Sequence, residues 1–192
     1  MGANAGLLLK MDEDIKADKF GKVRSVMIIK NDKVIFENYY NGFKRNDHNA
    51  LNRASQSILA LVLESAFDDA SLKYTDKIIE FFPEYSDVFF NIPQKDKIEI
   101  KHLLEQTSGF NWEEWNFSRV FQNNRSDEME QSDDWVKFAL STRMIREPGM
   151  EFNFNSGHSI ILSAILEKKL SGSLKNYLHN NLFEPLEISN YT

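Results

Sequence analysis

Apolar and polar positions follow a strand-like pattern in one part of the chain. Residues 23–30 and 33–40 are rich in Val, Ile, Phe and Tyr and are split by Asn31-Asp32. Asn and Asp tolerate the left-handed backbone that a two-residue turn demands, so this layout predicts a β-hairpin over 23–40. After Asn41-Gly42 the period changes. Apolar residues recur at helical spacing and predict helices over about 55–69, 76–81, 98–105, 133–141, 157–170 and 173–182, with an amphipathic helix at 7–19 before the hairpin. Pro83, Pro93, Pro148 and Pro185 fall in the connections, where a residue without an N–H is tolerated. The polar stretch 116–132 is expected to be a long mobile loop. No internal repeat is visible. Two strands followed by a helical block point to a mixed α/β (α+β) fold whose sheet is incomplete, because a hairpin alone does not make a stable sheet.

Composition narrows the classes. With 192 residues and 42% hydrophobic content the chain can build a sizeable core, and disorder is not expected. A net charge of -6 gives no basic bias, so nucleic acid and anionic membrane are poor partners. The absence of cysteine excludes disulfides, thiolate metal sites and cysteine catalysis. No apolar run is long enough for a membrane span, and 5–9 is too short for a signal core before Asp12-Glu13-Asp14. A cytoplasmic location is expected if this is the full N-terminus, a periplasmic or exported one if a leader was removed.

Chemistry concentrates in a few motifs. Asn52-Arg53-Ala54-Ser55-Gln56-Ser57-Ile58 opens the apolar run 58–67 and leads on to Leu72, Asp76-Lys77-Ile78-Ile79 and Phe81-Phe82-Pro83-Glu84-Tyr85. Further along come His102-Leu103-Leu104-Glu105-Gln106-Thr107-Ser108-Gly109-Phe110 and Glu147-Pro148-Gly149-Met150-Glu151-Phe152-Asn153-Phe154-Asn155-Ser156. In this order and spacing they resemble the serine β-lactamase and penicillin-binding-protein-like hydrolases, in the branch that includes class C β-lactamases, esterases and amide hydrolases. The resemblance runs from about 25 to 192 and covers the front part of the family domain. It implies a β-lactamase/transpeptidase-like fold: 1–192 as one truncated domain, with hairpin 23–40, a mainly helical part 55–192, and the later sheet strands missing.

The same resemblance implies a site that has lost its reagents. Relatives open the first helix with S-x-x-K, a nucleophilic Ser with a Lys one turn on that helps take its proton. Arg53 and Gln56 stand at those positions. An arginine cannot attack a carbonyl, and a glutamine amide is no useful base near neutral pH. In the second motif the family's proton-relaying Tyr is matched by Phe154, which keeps the ring and loses the hydroxyl, and the later Asn or Ser by Ser156. Slipping the register does not rescue the motif. Ser55 would then pair with Ile58 and Ser57 with Ala60, and no serine in the chain begins S-x-x-K or sits in G-x-S-x-G. Both serines also suit a helix start, where hydroxyls satisfy free backbone groups.

The expected function is therefore a catalytically inactive member of a serine hydrolase family. Two alternatives stand beside it: an active hydrolase of an ester, amide or β-lactam bond using Ser55, and a structural partner completed by another chain. His48, His102, His158 and His179 lack metal-ligand spacing, and neither metal nor cofactor is expected. Asp68-Asp69, Asp127-Glu128 and Asp133-Asp134 read as solvated helix ends. Trp112 and Trp115 can line a binding cleft or pack in the core. A small-molecule or anion ligand in the cleft, near Arg53, and self-association through the exposed sheet edge are the expected interactions.

Overall fold

The computed structural model describes residues 4–68, 71–90, 92–114, 124–170 and 173–191. The chain divides into two compact units, Met1–Ala50 with Asn190–Thr192, and Leu51–Ser189. In the first, helix α1 (Ala5–Lys16) starts where the Asn4 side chain accepts the Leu7 N–H, and the antiparallel hairpin β1 (Ser25–Lys30) and β2 (Lys33–Tyr39) follows. Asn31 and Asp32 both have positive φ, 50° and 57°, which matches the primed turn whose twist suits a hairpin. Ile28 pairs with Phe36 and Ile29 with Val34, leaving a bulge at Ile35. Asp12 ties α1 to the end of the hairpin by accepting from Asn38 Nδ2 (2.6 Å) and the Tyr40 hydroxyl (2.8 Å). Met27, Ile29 and Val34 remain exposed.

The second unit is helical: α2 (Ser55–Asp68), α3 (Ser86–Phe89), α4 (Ile100–Leu104), α5 (Arg125–Glu130), α6 (Trp135–Leu140), α7 (Gly157–Lys169) and α8 (Leu174–Leu178), with short 3-10 turns and a π turn at His179–Phe183. Helix α7 lies at its centre, packed by α2, α4 and α6. It buries Ile161, Leu162, Ile165 and Leu166 against Val62, Leu63 and Ala66 of α2, Ile100 and Leu103 of α4, and Ala139 and Leu140 of α6. Each of these side chains contributes about 1.5–3 kcal/mol on burial, alanines less. A side chain at Gly157 would meet the Ala139 Cβ at 3.0 Å and Trp112 at 3.1 Å, so glycine at the first turn allows α7 this close.

Two sequence expectations are corrected. The expected loop 116–132 contains α5, which begins where the Asn124 side chain accepts the Ser126 N–H. Its polar sequence hid it because α5 inserts a single apolar side chain, Met129, into the core. Residues 115–123, Trp115 among them, lie outside the described residues. The segment 76–81 forms only a 3-10 turn at Ile78–Phe81, because Phe82 and Pro83 interrupt it before an α-helical turn can repeat.

Candidate functional site

The site grows from two segments far apart in sequence. Arg53 sits in the 3-10 turn Asn52–Ala54 that enters α2, and Asn52 adopts a left-handed φ of 48° to make the turn. The Ser55 hydroxyl donates to the Asn52 carbonyl oxygen at 2.6 Å, a bond that stitches the start of the helix together. Gln56 is half-buried. Phe154 and Ser156 come from the segment that leads into α7, with Ser156 at its N-cap. Folding brings the Arg53 guanidinium to 5.0 Å from the centre of the Phe154 ring, within the range of a cation–π contact.

Glu114 connects them. Its carboxylate accepts Arg53 Nη2 at 3.1 Å, Trp112 Nε1 at 2.7 Å and the Ser156 backbone N–H at 3.0 Å. The Glu114 side chain is 3% exposed and that of Arg53 51%. A nearly buried carboxylate thus faces a cation at the surface, and its two neutral donors make it far less costly to bury. Trp112 is in the core, its ring edge-on to Phe138, with Arg125 stacked on both rings. Its indole N–H is the part that reaches the site. The Ser156 hydroxyl contacts that of Ser126 at 3.2 Å.

A second network holds the same segment. Gln106 Oε1 accepts the Asn155 backbone N–H (2.8 Å), so this atom is the oxygen and His158 Nδ1, 2.9 Å away, must donate to it. His158 Nε2 then accepts from the Ser108 hydroxyl at 2.7 Å, and Ser108 Oγ accepts the Phe110 N–H at 3.2 Å. Burial holds His158 neutral, with its pKa pushed down to about 3 despite a favourable backbone contact at Leu103. Asn153 adds bonds from Nδ2 to the carbonyls of Phe110 and Trp112. Gly109, at φ +84°, packs so closely that a Cβ there would lie 2.3 Å from the Arg146 carbonyl oxygen. A shallow surface pocket is lined by Phe110, Trp112, Ile145, Arg146 and Phe152, and neither Arg53 nor Phe154 lines it.

The β-lactamase family model matches residues 22–192. The chain belongs to the β-lactamase family. Solved structures agree on the fold. A candidate β-lactamase from Bacteroides dorei is 19% identical with a TM-score of 0.72, over 97% of this chain and 52% of that one. FmtA from Staphylococcus aureus is 18% identical with a TM-score of 0.65, over 97% and 50%. The octameric penicillin-binding protein homologue from Pyrococcus abyssi is 21% identical with a TM-score of 0.64, over 96% and 43%. This chain therefore spans about half the length of these structures. No curated protein matches it.

Sequence reasoning singled out Arg53, Gln56, Phe154, Ser156, Ser55, Trp112 and Trp115, the last outside the described residues, and passed over Glu114, Gln106 and Arg125. Glu114 carried no local signal, since Arg53 is 61 positions away and Ser156 42. Among the described residues no cluster of His, Cys, Asp or Glu could hold a metal ion, and no helix is long and apolar enough to cross a membrane.

Proposed function

We propose that this chain is a non-catalytic member of the β-lactamase family, whose cleft takes a small-molecule or anionic ligand without covalent chemistry. The observation that carries the reading is the stacking of Arg53 on Phe154. The two positions matched to the family's nucleophile and proton-relaying tyrosine meet in space, so the register inferred from sequence is physically sensible. Neither side chain has an oxygen to attack or to move a proton. Gln56, matched to the base, offers an amide. Ser55, the fallback nucleophile, spends its proton on the Asn52 carbonyl, as a helix-start serine does.

The test is acylation. The protein is incubated with a penicillin and with a fluorophosphonate, and its intact mass is taken. The unmodified mass is expected, and a stoichiometric adduct on Ser55 or Ser57 would replace this reading with an active hydrolase.

A second reading, association through the hairpin, is favoured by the exposed Met27, Ile29 and Val34 on a two-stranded sheet. Free strand edges pair readily with other chains. Light scattering on a size-exclusion column decides: a monodisperse monomer across the accessible concentrations would remove it.

A further inference from the structure

The Arg53–Glu114 pair sits where an anion would have to bind, and it already contains one. We propose that Glu114 is an internal competitor: its carboxylate occupies the Arg53 guanidinium and keeps external carboxylates off the Arg53–Phe154 surface. The inference rests on the reading of this surface as the ligand site and adds what controls it.

Three observations support it. Glu114 reaches Arg53 with one oxygen, Oε1, at 3.1 Å, while the other, Oε2, is held by Trp112 Nε1 and the Ser156 N–H. The carboxylate is therefore anchored from the protein side and presented to the cation, an arrangement that costs no ligand-binding entropy each time it forms. Arg53 is half exposed and lies against the Phe154 ring, which sets a cation beside an apolar platform. That surface suits an aromatic or aliphatic carboxylate, with the ring against Phe154 and the charge toward Arg53. The fixed negative charge of Glu114 a few ångströms away repels such a ligand and takes a guanidinium edge it would use. Intramolecular carboxylate and external carboxylate compete for one cation, and the tethered one has the advantage of effective concentration.

The chemistry of Glu114→Gln separates these effects. An amide is isosteric, keeps an oxygen for the Trp112 and Ser156 donors, and removes the charge. Arg53 tolerates the loss because half of it is in water. Benzoate is titrated into the wild-type protein and the variant by calorimetry, with benzamide as the uncharged control. Glu114→Gln is expected to bind benzoate at least about tenfold tighter than wild type, a gain of about 1.4 kcal/mol, with benzamide unchanged and the gain abolished in Arg53→Ala/Glu114→Gln. Equal benzoate affinity in folded wild type and variant, or a gain that survives loss of Arg53, overturns the proposal. If a thermal melt shows Glu114→Gln unfolded, Glu114→Ala replaces it, removing the carboxylate and leaving room for water at the Trp112 and Ser156 donors, and the same two outcomes apply. The acylation assay on the same samples keeps the two ideas apart. An adduct would refute the non-catalytic reading whatever benzoate does, and a benzoate result refutes only the competitor.

Discussion

Two polar hubs grip the segment before α7, and they solve different problems. The hub at His158 is neutral and largely buried: buried His158 and Ser108 and half-buried Gln106 share donors and acceptors so that each buried polar atom of the relay is matched. The hub at Glu114 is ionic and half open, with a buried carboxylate answered by a cation at the surface. Burial without water penalises charge steeply, so the enclosed hub uses a neutral tautomer. The half-open hub can keep both charges because solvent carries part of the load on Arg53. The first hub holds the frame. The second presents a cation at the surface of the frame.

The comparison breaks most sharply at His158. Replacing it by alanine leaves the Ser108 hydroxyl and Gln106 Oε1 short of a partner and opens a cavity beside Phe110, which lies 6.1 Å from the imidazole ring centre. Urea unfolding should show a loss of about 3 kcal/mol. A loss below about 1 kcal/mol would mean that the enclosed hub is decoration.

Acid tests the same hub with a graded effect. The folded chain holds His158 down to about 3, against an ordinary 6.5. The unfolded chain therefore binds the extra proton first as pH falls. The His158 contribution to stability is complete above pH 6.5 and is lost progressively between 6.5 and about 3, with a slope of up to about 1.4 kcal/mol per pH unit. Thermal melts of wild type and His158→Ala across that window should differ in slope, and parallel curves would exclude His158 as the source.

The open hub should respond most weakly. Arg53→Ser leaves the Glu114 carboxylate without its cation but with Trp112 and Ser156 still donating. We expect a loss of about 1–2 kcal/mol, below the range for a fully buried pair because Arg53 is half exposed. The variant also restores a hydroxyl at the position matched to the nucleophile. With Gln56 and Phe154 unchanged it should still give no acyl adduct by intact mass, and an adduct would show that the missing nucleophile alone had silenced the site.

Much of the architecture was legible because it is local. Asn31-Asp32 between β-rich runs specified the hairpin turn, and the helical spacing of Val62, Leu63 and Ala66 or of Ile161, Ile165 and Leu166 specified α2 and α7. The bounds were good to within a few residues, with 55–69 becoming Ser55–Asp68 and 157–170 becoming Gly157–Lys169. Helix α5 escaped because its burial rests on Met129, too little for a period to show. Lys95 escaped for the opposite reason. A lysine reads as surface, yet it is fully buried, donating to the Val88 and Leu140 carbonyls with its pKa pushed down to about 8 by burial.

The sequence by itself determined which chemical groups Arg53, Gln56 and Phe154 can offer. Arg53, Gln56 and Phe154 cannot supply a nucleophile, a base or a phenolic proton in any fold, since functional groups are properties of residues. Tertiary structure alone decided what those residues do instead. That Arg53 lies on Phe154 and is neutralised by Glu114, and that His158 is a neutral relay rather than a free imidazole, depends on distances between segments many residues apart. Pairing, dielectric environment and tautomer are set by neighbours in space, and side-chain identity leaves them open until the chain has folded.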